Sequence, residues 1–157
     1  MGTPYVTRLK VRFYEADSYG HVNHANYVRY LETGRVEALE ALGIPLDVMR
    51  QQGYLLVAAA LSVTFHASAR PGDVLEVITR IGELRGARSI WIQEIRDATT
   101  SRLLVTGEVT GAFMTEGGRP VRVPSEVRDK LAALHVPRAE PAAGAKPSEP
   151  AGRNQPG

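Results

Sequence analysis

Asp17-Ser18-Tyr19-Gly20-His21-Val22-Asn23-His24-Ala25-Asn26-Tyr27 joins an alternating segment to a helical one, and it carries more polar chemistry than a connection requires. A strand-to-helix turn needs a glycine and one capping side chain. This one holds a carboxylate, two imidazoles and two carboxamides. Upstream, residues 6–13 alternate, with Leu9, Val11 and Phe13 on one face and Arg8, Lys10 and Arg12 on the other, which predicts a strand with a dry side and a wet side. Downstream, apolar or small residues at 27, 31, 34, 38 and 42 form a helical stripe, with Arg29, Glu32, Arg35, Glu37 and Glu40 elsewhere, and Gly43 closes the helix.

Further along, residues 54–69 contain the run Leu55-Leu56-Val57-Ala58-Ala59-Ala60-Leu61 followed by β-branched and aromatic residues. This pattern suits a strand buried on both faces, although the alanines leave a helix open. Arg70-Pro71-Gly72-Asp73 is a turn by composition. Residues 73–82, 89–96 and 103–115 then read as three strands separated by short turn signals, an antiparallel meander. One strand, one long helix and about four more strands hide the helical stripe only if the helix lies across the sheet, so the fold class is α+β. Residues 124–131 predict a short helix with Ser125 as N-cap. The domain is expected over residues 1–136, and the Pro-, Ala- and Gly-rich residues 137–157 are expected to be a disordered tail.

A chain of 157 residues fits one core, and its 43% hydrophobic and 23% charged residues match ordinary globular usage. Absence of cysteine removes thiolate nucleophiles, disulfides and Cys-ligated zinc, and favours a cytoplasmic setting. The first residues are too polar for a signal segment, and no stretch approaches the ~18 apolar residues that span a bilayer. Arginines scattered among acids give no clustered footprint for nucleic acid.

The turn itself reads as acyl-transfer chemistry. Asp17 precedes a helix whose first N–H groups are unpaired and carry the positive end of the macrodipole, so its carboxylate stays ionised there. Asp17, Asn23 or Asn26 would also serve as an N-cap. Gly20 lets the backbone approach a ligand, and N–H groups around Asn23 and His24 would receive a developing oxyanion. Asp17 would attack the polarised carbonyl carbon or take a proton from a water that does. A thioester suits so modest a set of groups, because a thiolate leaves without strong acid assistance. His24 is a candidate second catalytic group. His21 and His24 are also spaced as a metal pair, but neither His66 nor His135 is placed in sequence to complete one, and no metal is expected. His66 reads as a structural strand residue.

The stretch from Asp17 to Tyr27, running into a long helix, resembles the active-site segment of hotdog-fold acyl-CoA thioesterases of the 4-hydroxybenzoyl-CoA thioesterase-like family, in its Tol-Pal-associated branch. The resemblance implies a hotdog fold, in which an antiparallel sheet of about five strands wraps one long helix. It implies Asp17 as nucleophile or general base, with His24 as a second catalytic position whose backbone N–H polarises the carbonyl. Substrate contacts would come from Gly20, His21, Val22, Asn23 and Tyr27, with Arg88 and Ser89 toward the nucleotide. Arg85 and Arg122 are further arginines for that role. A tyrosine near the end of the first strand also belongs to that branch; here Tyr14 stands three residues before Asp17 and Phe13 four before, so no role is assigned to Tyr14. Coenzyme A is then part of the substrate, no cofactor is implied, and the assembly would be a homodimer or homotetramer with each site completed by the partner. A hotdog enoyl-thioester hydratase, whose aspartate and histidine are spaced five apart, and a non-catalytic acyl-thioester binding protein are the competing readings.

Overall fold

The structure, a computed structural model, describes residues 2–137. The expected tail beyond residue 137 lies outside the described residues. Strand β1 (Tyr5–Lys10) leads through a single 3₁₀ turn (Phe13–Glu15) and the Asp17 loop into helix α1 (His24–Ala41); α2 (Leu46–Gln51) and strands β2 (Tyr54–Phe65), β3 (Val74–Arg85), β4 (Arg88–Asp97) and β5 (Leu103–Thr115) follow, then α3 (Ser125–Leu131). The five strands form one antiparallel sheet in the order β1-β3-β4-β5-β2.

Period-two alternation aims one side of this sheet at α1. Leu75, Val77, Thr79 and Ile81 of β3, Trp91, Gln93 and Ile95 of β4, and Val105, Val109 and Phe113 of β5 are buried on that side. The helix presents Tyr27, Tyr30, Leu31, Gly34, Ala38 and Leu39 to them, the expected stripe widened by Tyr30 and Leu39. Beneath its N-terminal half lies one apolar cluster, containing Tyr27, Leu31, Val77, Ile95 and Val105. A second, under the C-terminal half, takes in Met49 of α2 and Val127 and Leu131 of α3. Gly43 ends α1 with φ +75°, as its left-handed position requires, and the next amide, Ile44 N–H, donates back to the Leu39 carbonyl at 3.0 Å.

Three sequence expectations need correction, and one helix has no counterpart among them. Phe13 is 83% exposed, because β1 stops at Lys10 and the 3₁₀ turn carries its side chain off the dry face. The segment read as buried on both faces is instead an edge strand: β2 pairs only with β5, a bulge at Ala59 shifts its alternation, and Val57, Leu61 and Phe65 are 39–50% exposed. Helix α2 was not foreseen, since six residues after Pro45 are too few to display a period. Pro124, not Ser125, occupies the N-cap of α3, with no side-chain cap bond.

Candidate active site

The loop before α1 is a tight return. Gly20 N–H donates to the Asp17 carbonyl at 3.1 Å, Asp17 N–H donates to the His21 carbonyl at 2.8 Å, and a lone bridge pairs Ala16 with Val22. Gly20 sits at φ +76° with nothing within 4 Å of where a Cβ would stand, so backbone conformation, not close approach, is what calls for glycine. One oxygen of the Asp17 carboxylate accepts Tyr19 N–H at 2.8 Å, and the other has no protein partner among the described residues. The side chain is exposed and held in an Asx turn.

Asn23, one of the three N-cap candidates, takes the cap: its Oδ1 accepts Ala25 N–H at 2.9 Å. Asn26 braces the loop from the helix by donating its Nδ2 to the Glu15 carbonyl at 2.9 Å. The expectation of free amides around Asn23 and His24 holds for only one of the two. Asn23 N–H donates to the Glu15 carbonyl and Val22 N–H to the Ala69 carbonyl, both at 3.0 Å. His24 N–H, the first of the helix, has no acceptor among the described residues, as helix geometry dictates for a first-turn donor. Capping thus consumes its neighbours and leaves one amide open.

Asp17, His21, Val22, His24 and Tyr27 line one hollow of about 360 Å³ together with Phe65 at the end of β2 and His66 and Ser68 just after it. Tyr27 is its floor. Its ring packs on Phe65 at 5.7 Å and edge-on to Tyr30 at 6.0 Å, and its hydroxyl accepts the Ala69 amide at 2.8 Å. Burial pushes the phenol above its ordinary 10.0, against the lowering effect of that Ala69 bond, and the charge of Asp17 pushes the same way as burial. His66, expected as a structural strand residue, lies just past the end of β2; it makes a structural bond, Nε2 to Thr106 Oγ1 at 3.0 Å, and also lines the hollow with Asp17. Nothing in sequence spacing brings residue 66 to residue 17; β2 must first pair with β5. Ser68 and His21 border an adjoining hollow lined by Arg70 and Arg102, two cations that sequence reasoning passed over. Among the described residues no three His, Cys, Asp or Glu side chains approach closely enough to hold a metal ion.

Arg88 and Ser89 are not brought to this hollow within one chain. Arg88 opens β4 beside the β3–β4 turn, while the Asp17 loop sits by the other end of that strand, nine residues or ~30 Å away. Arg88 is exposed; Ser89 is fully buried, its hydroxyl accepting Trp91 Nε1 at 3.0 Å and donating to the Gly111 carbonyl at 3.3 Å. Tyr14 lies in a separate groove between β1 and α1 and does not border the Asp17 hollow.

An antiparallel sheet of five strands wrapped on one long helix is the hotdog architecture. The chain belongs to the thioesterase-like superfamily, whose model matches residues 11–131. It is 34% identical over 123 residues to the chloroplastic acyl-acyl carrier protein thioesterase ATL3 of Arabidopsis thaliana, covering 78% of this chain and 65% of that protein. The acyl-CoA thioester hydrolase YbgC of Escherichia coli is 30% identical over 95 residues, 60% of this chain and 71% of YbgC. Among solved structures, the hypothetical protein TT1821 of Thermus thermophilus is similar with a TM-score of 0.77 at 35% identity, over 83% of this chain and 99% of that one.

Proposed function

We propose that the protein is an acyl-CoA thioesterase, releasing a carboxylic acid and free coenzyme A. Asp17 would act as general base on a water or as nucleophile on the carbonyl carbon, with the carbonyl oxygen turned to His24 N–H. In the base-catalysed form, the Asp17 carboxylate takes a proton from water as its oxygen bonds to the thioester carbon. Negative charge collects on the carbonyl oxygen opposite the His24 amide and the positive end of α1. The C–S bond then breaks, and the thiolate leaves with coenzyme A. A positioned base contributes roughly 10²–10⁴ in rate and an oxyanion donor roughly 10²–10³, which suits an activated thioester. The His24 imidazole, exposed on the same hollow, would orient the water.

The observation that carries this reading is one hollow lined by both Asp17, whose carboxylate keeps an open oxygen, and His24, whose N–H has no acceptor among the described residues. YbgC's name supports coenzyme A as carrier, ATL3's supports a carrier protein, and the motif's likeness to the Tol-Pal-associated branch favours the former. We also propose a homodimer through the open edge of β2, which would bring the partner's Arg88 toward this hollow.

Thiol release from a panel of acyl-CoAs and acyl-carrier-protein thioesters tests the reading. Wild type should release thiol, and Asp17→Asn should lose at least ~10²-fold in kcat/KM. Equal activity in the variant would remove the mechanism. Hydration of crotonyl-CoA without thiol release would identify a hydratase, and tight binding without turnover a carrier.

A further inference from the structure

A second cavity, of about 100 Å³, lies between α1 and the exposed strand β2. Val36, Leu39, Leu46, Leu56, Trp91 and Val109 supply the apolar part of its lining, and Glu32 and Arg35 the charged part. Into it opens one cation, Arg35, which the acyl-transfer chemistry does not use.

Arg35 is built into place from below. Its Nη1 donates to Gln93 Oε1 at 2.9 Å. Gln93 is 1% exposed, and its Nε2 donates to the Leu31 carbonyl at 2.8 Å and to Thr79 Oγ1 at 2.9 Å. With two acceptors fixing the amide nitrogen, the oxygen is left for Arg35, which settles the orientation of the carboxamide. A guanidinium has five N–H donors, and Gln93 satisfies one. Among the described residues no carboxylate lies within 4.0 Å of Arg35. Glu32, exposed at the rim one turn earlier, attracts Arg35 without closing on it. Burial lowers the Arg35 pKa, the mark of a cation short of solvent, though a guanidinium stays protonated.

His24 and Arg35 are eleven residues apart on one helix, close to three full turns, so they project from the same side of α1 about 16 Å apart along its axis. Both cavities border β2, the Asp17 hollow at Phe65 and the Arg35 cavity at Leu56, Val57 and Ala58. An acyl chain of about that length, anchored by its thioester at the first and laid along α1, would reach the second. Plain hydrocarbon there would cover a cation whose donors stay unmet, whereas a carboxylate would accept two of them as a bidentate pair.

We propose that Arg35, held by Gln93, reads the far end of the acyl group, and that the substrate is an ω-carboxyacyl thioester. The inference rests on the thioesterase reading of the Asp17 hollow. Arg35 is thus a specificity residue that touches the acyl tail.

Matched pairs test it: the CoA thioesters of octanedioic, dodecanedioic and tetradecanedioic acids against octanoyl-, dodecanoyl- and tetradecanoyl-CoA. At the chain length that fits, the carboxylated member should be preferred by roughly 10- to 100-fold in kcat/KM, carried by KM. Arg35→Met should abolish or reverse that preference while alkyl thioesters are still hydrolysed. Glu32→Gln, an exposed substitution that does not threaten folding, should lower KM for the carboxylated member alone. Calorimetric titration of the free diacids and monoacids gives a readout independent of turnover. Alkyl thioesters hydrolysed as well as their carboxylated partners at every length, with no effect of Arg35→Met or Glu32→Gln on the ratio, would overturn the proposal and leave the thioesterase standing. Diacid binding that is lost in Arg35→Met, with no thiol released from any thioester, would keep the Arg35 site and overturn the thioesterase reading.

Discussion

The Tyr27 hydroxyl is the acceptor for a buried amide, Ala69 N–H, that ties the end of the β2–β3 connection to the floor of the hollow. Tyr27→Phe keeps the ring against Phe65 and removes only the acceptor, leaving that amide unsatisfied at a cost of about 1–3 kcal/mol, to be measured by urea denaturation at neutral pH. The same phenol sets a pH dependence. Burial raises Tyr27 and, with the neighbouring Glu15 carboxylate, raises Tyr30, so the folded state holds these protons more tightly than the unfolded chain. Their contribution is fully present below the unfolded value of 10.0 and is lost as pH rises through the folded values. Wild-type stability should therefore fall above pH 10, and Tyr27→Phe should flatten part of that fall. Such residue-level bonds were only half legible in sequence. The surplus of polar groups from Asp17 to Asn26 marks a site, but which amide survives capping depends on Glu15 and Ala69 carbonyls that only the folded loop brings near.

Helix α1 packs tightly on the sheet at Gly34, where a Cβ would stand 2.6 Å from Val77 Cγ1, 2.9 Å from Thr79 Oγ1 and 3.2 Å from Gln93 Nε2. Gly34→Ala should gain about 1 kcal/mol in helix propensity and lose about 1–3 kcal/mol to overpacking, with a net loss because the neighbours are sheet residues that cannot all retreat. The melting temperature of the variant against wild type gives the sign directly. A stabilised Gly34→Ala would mean that the helix can lift, and that Gln93 need not be fixed beneath it. Elements with a clear period were readable before the structure: the α1 stripe at 27, 31, 34 and 38, and β5 to the residue. What failed did so for physical reasons. An apolar run such as Leu55–Leu61 states that something covers it, not whether the cover comes from its own chain, and a bulge at Ala59 breaks the alternation that would have told its two faces apart.

At the scale of the whole molecule, β2 leaves twelve residues of strand open at an edge, with Leu61 and Phe65 exposed, a feature that monomeric sheets avoid by shortening, charging or covering the strand. Two-fold antiparallel pairing of β2 with a second copy would satisfy that edge and reverse one sheet against the other. The end of β4 that carries Arg88 in one copy would then approach the Asp17 loop of the other, so residues ~30 Å apart in one chain would meet across the pair. Leu61→Lys should yield monomer by sedimentation velocity, with hydrolysis reduced alongside. A sharper test mixes two impaired forms: Asp17→Asn, which lacks the carboxylate, and Arg88→Ala, which should raise KM about tenfold by loss of a charged contact to the nucleotide. If each site draws Asp17 from one chain and Arg88 from the other, a mixed dimer regains one intact site, and random reassortment of equal amounts recovers about a quarter of wild-type sites. Assayed at substrate well below the wild-type KM, the mixture should then exceed the mean of its parents after mild denaturation and refolding together. Activity equal to that mean would show that the partner's Arg88 does not complete the Asp17 site and leave the β2 edge without a role in catalysis.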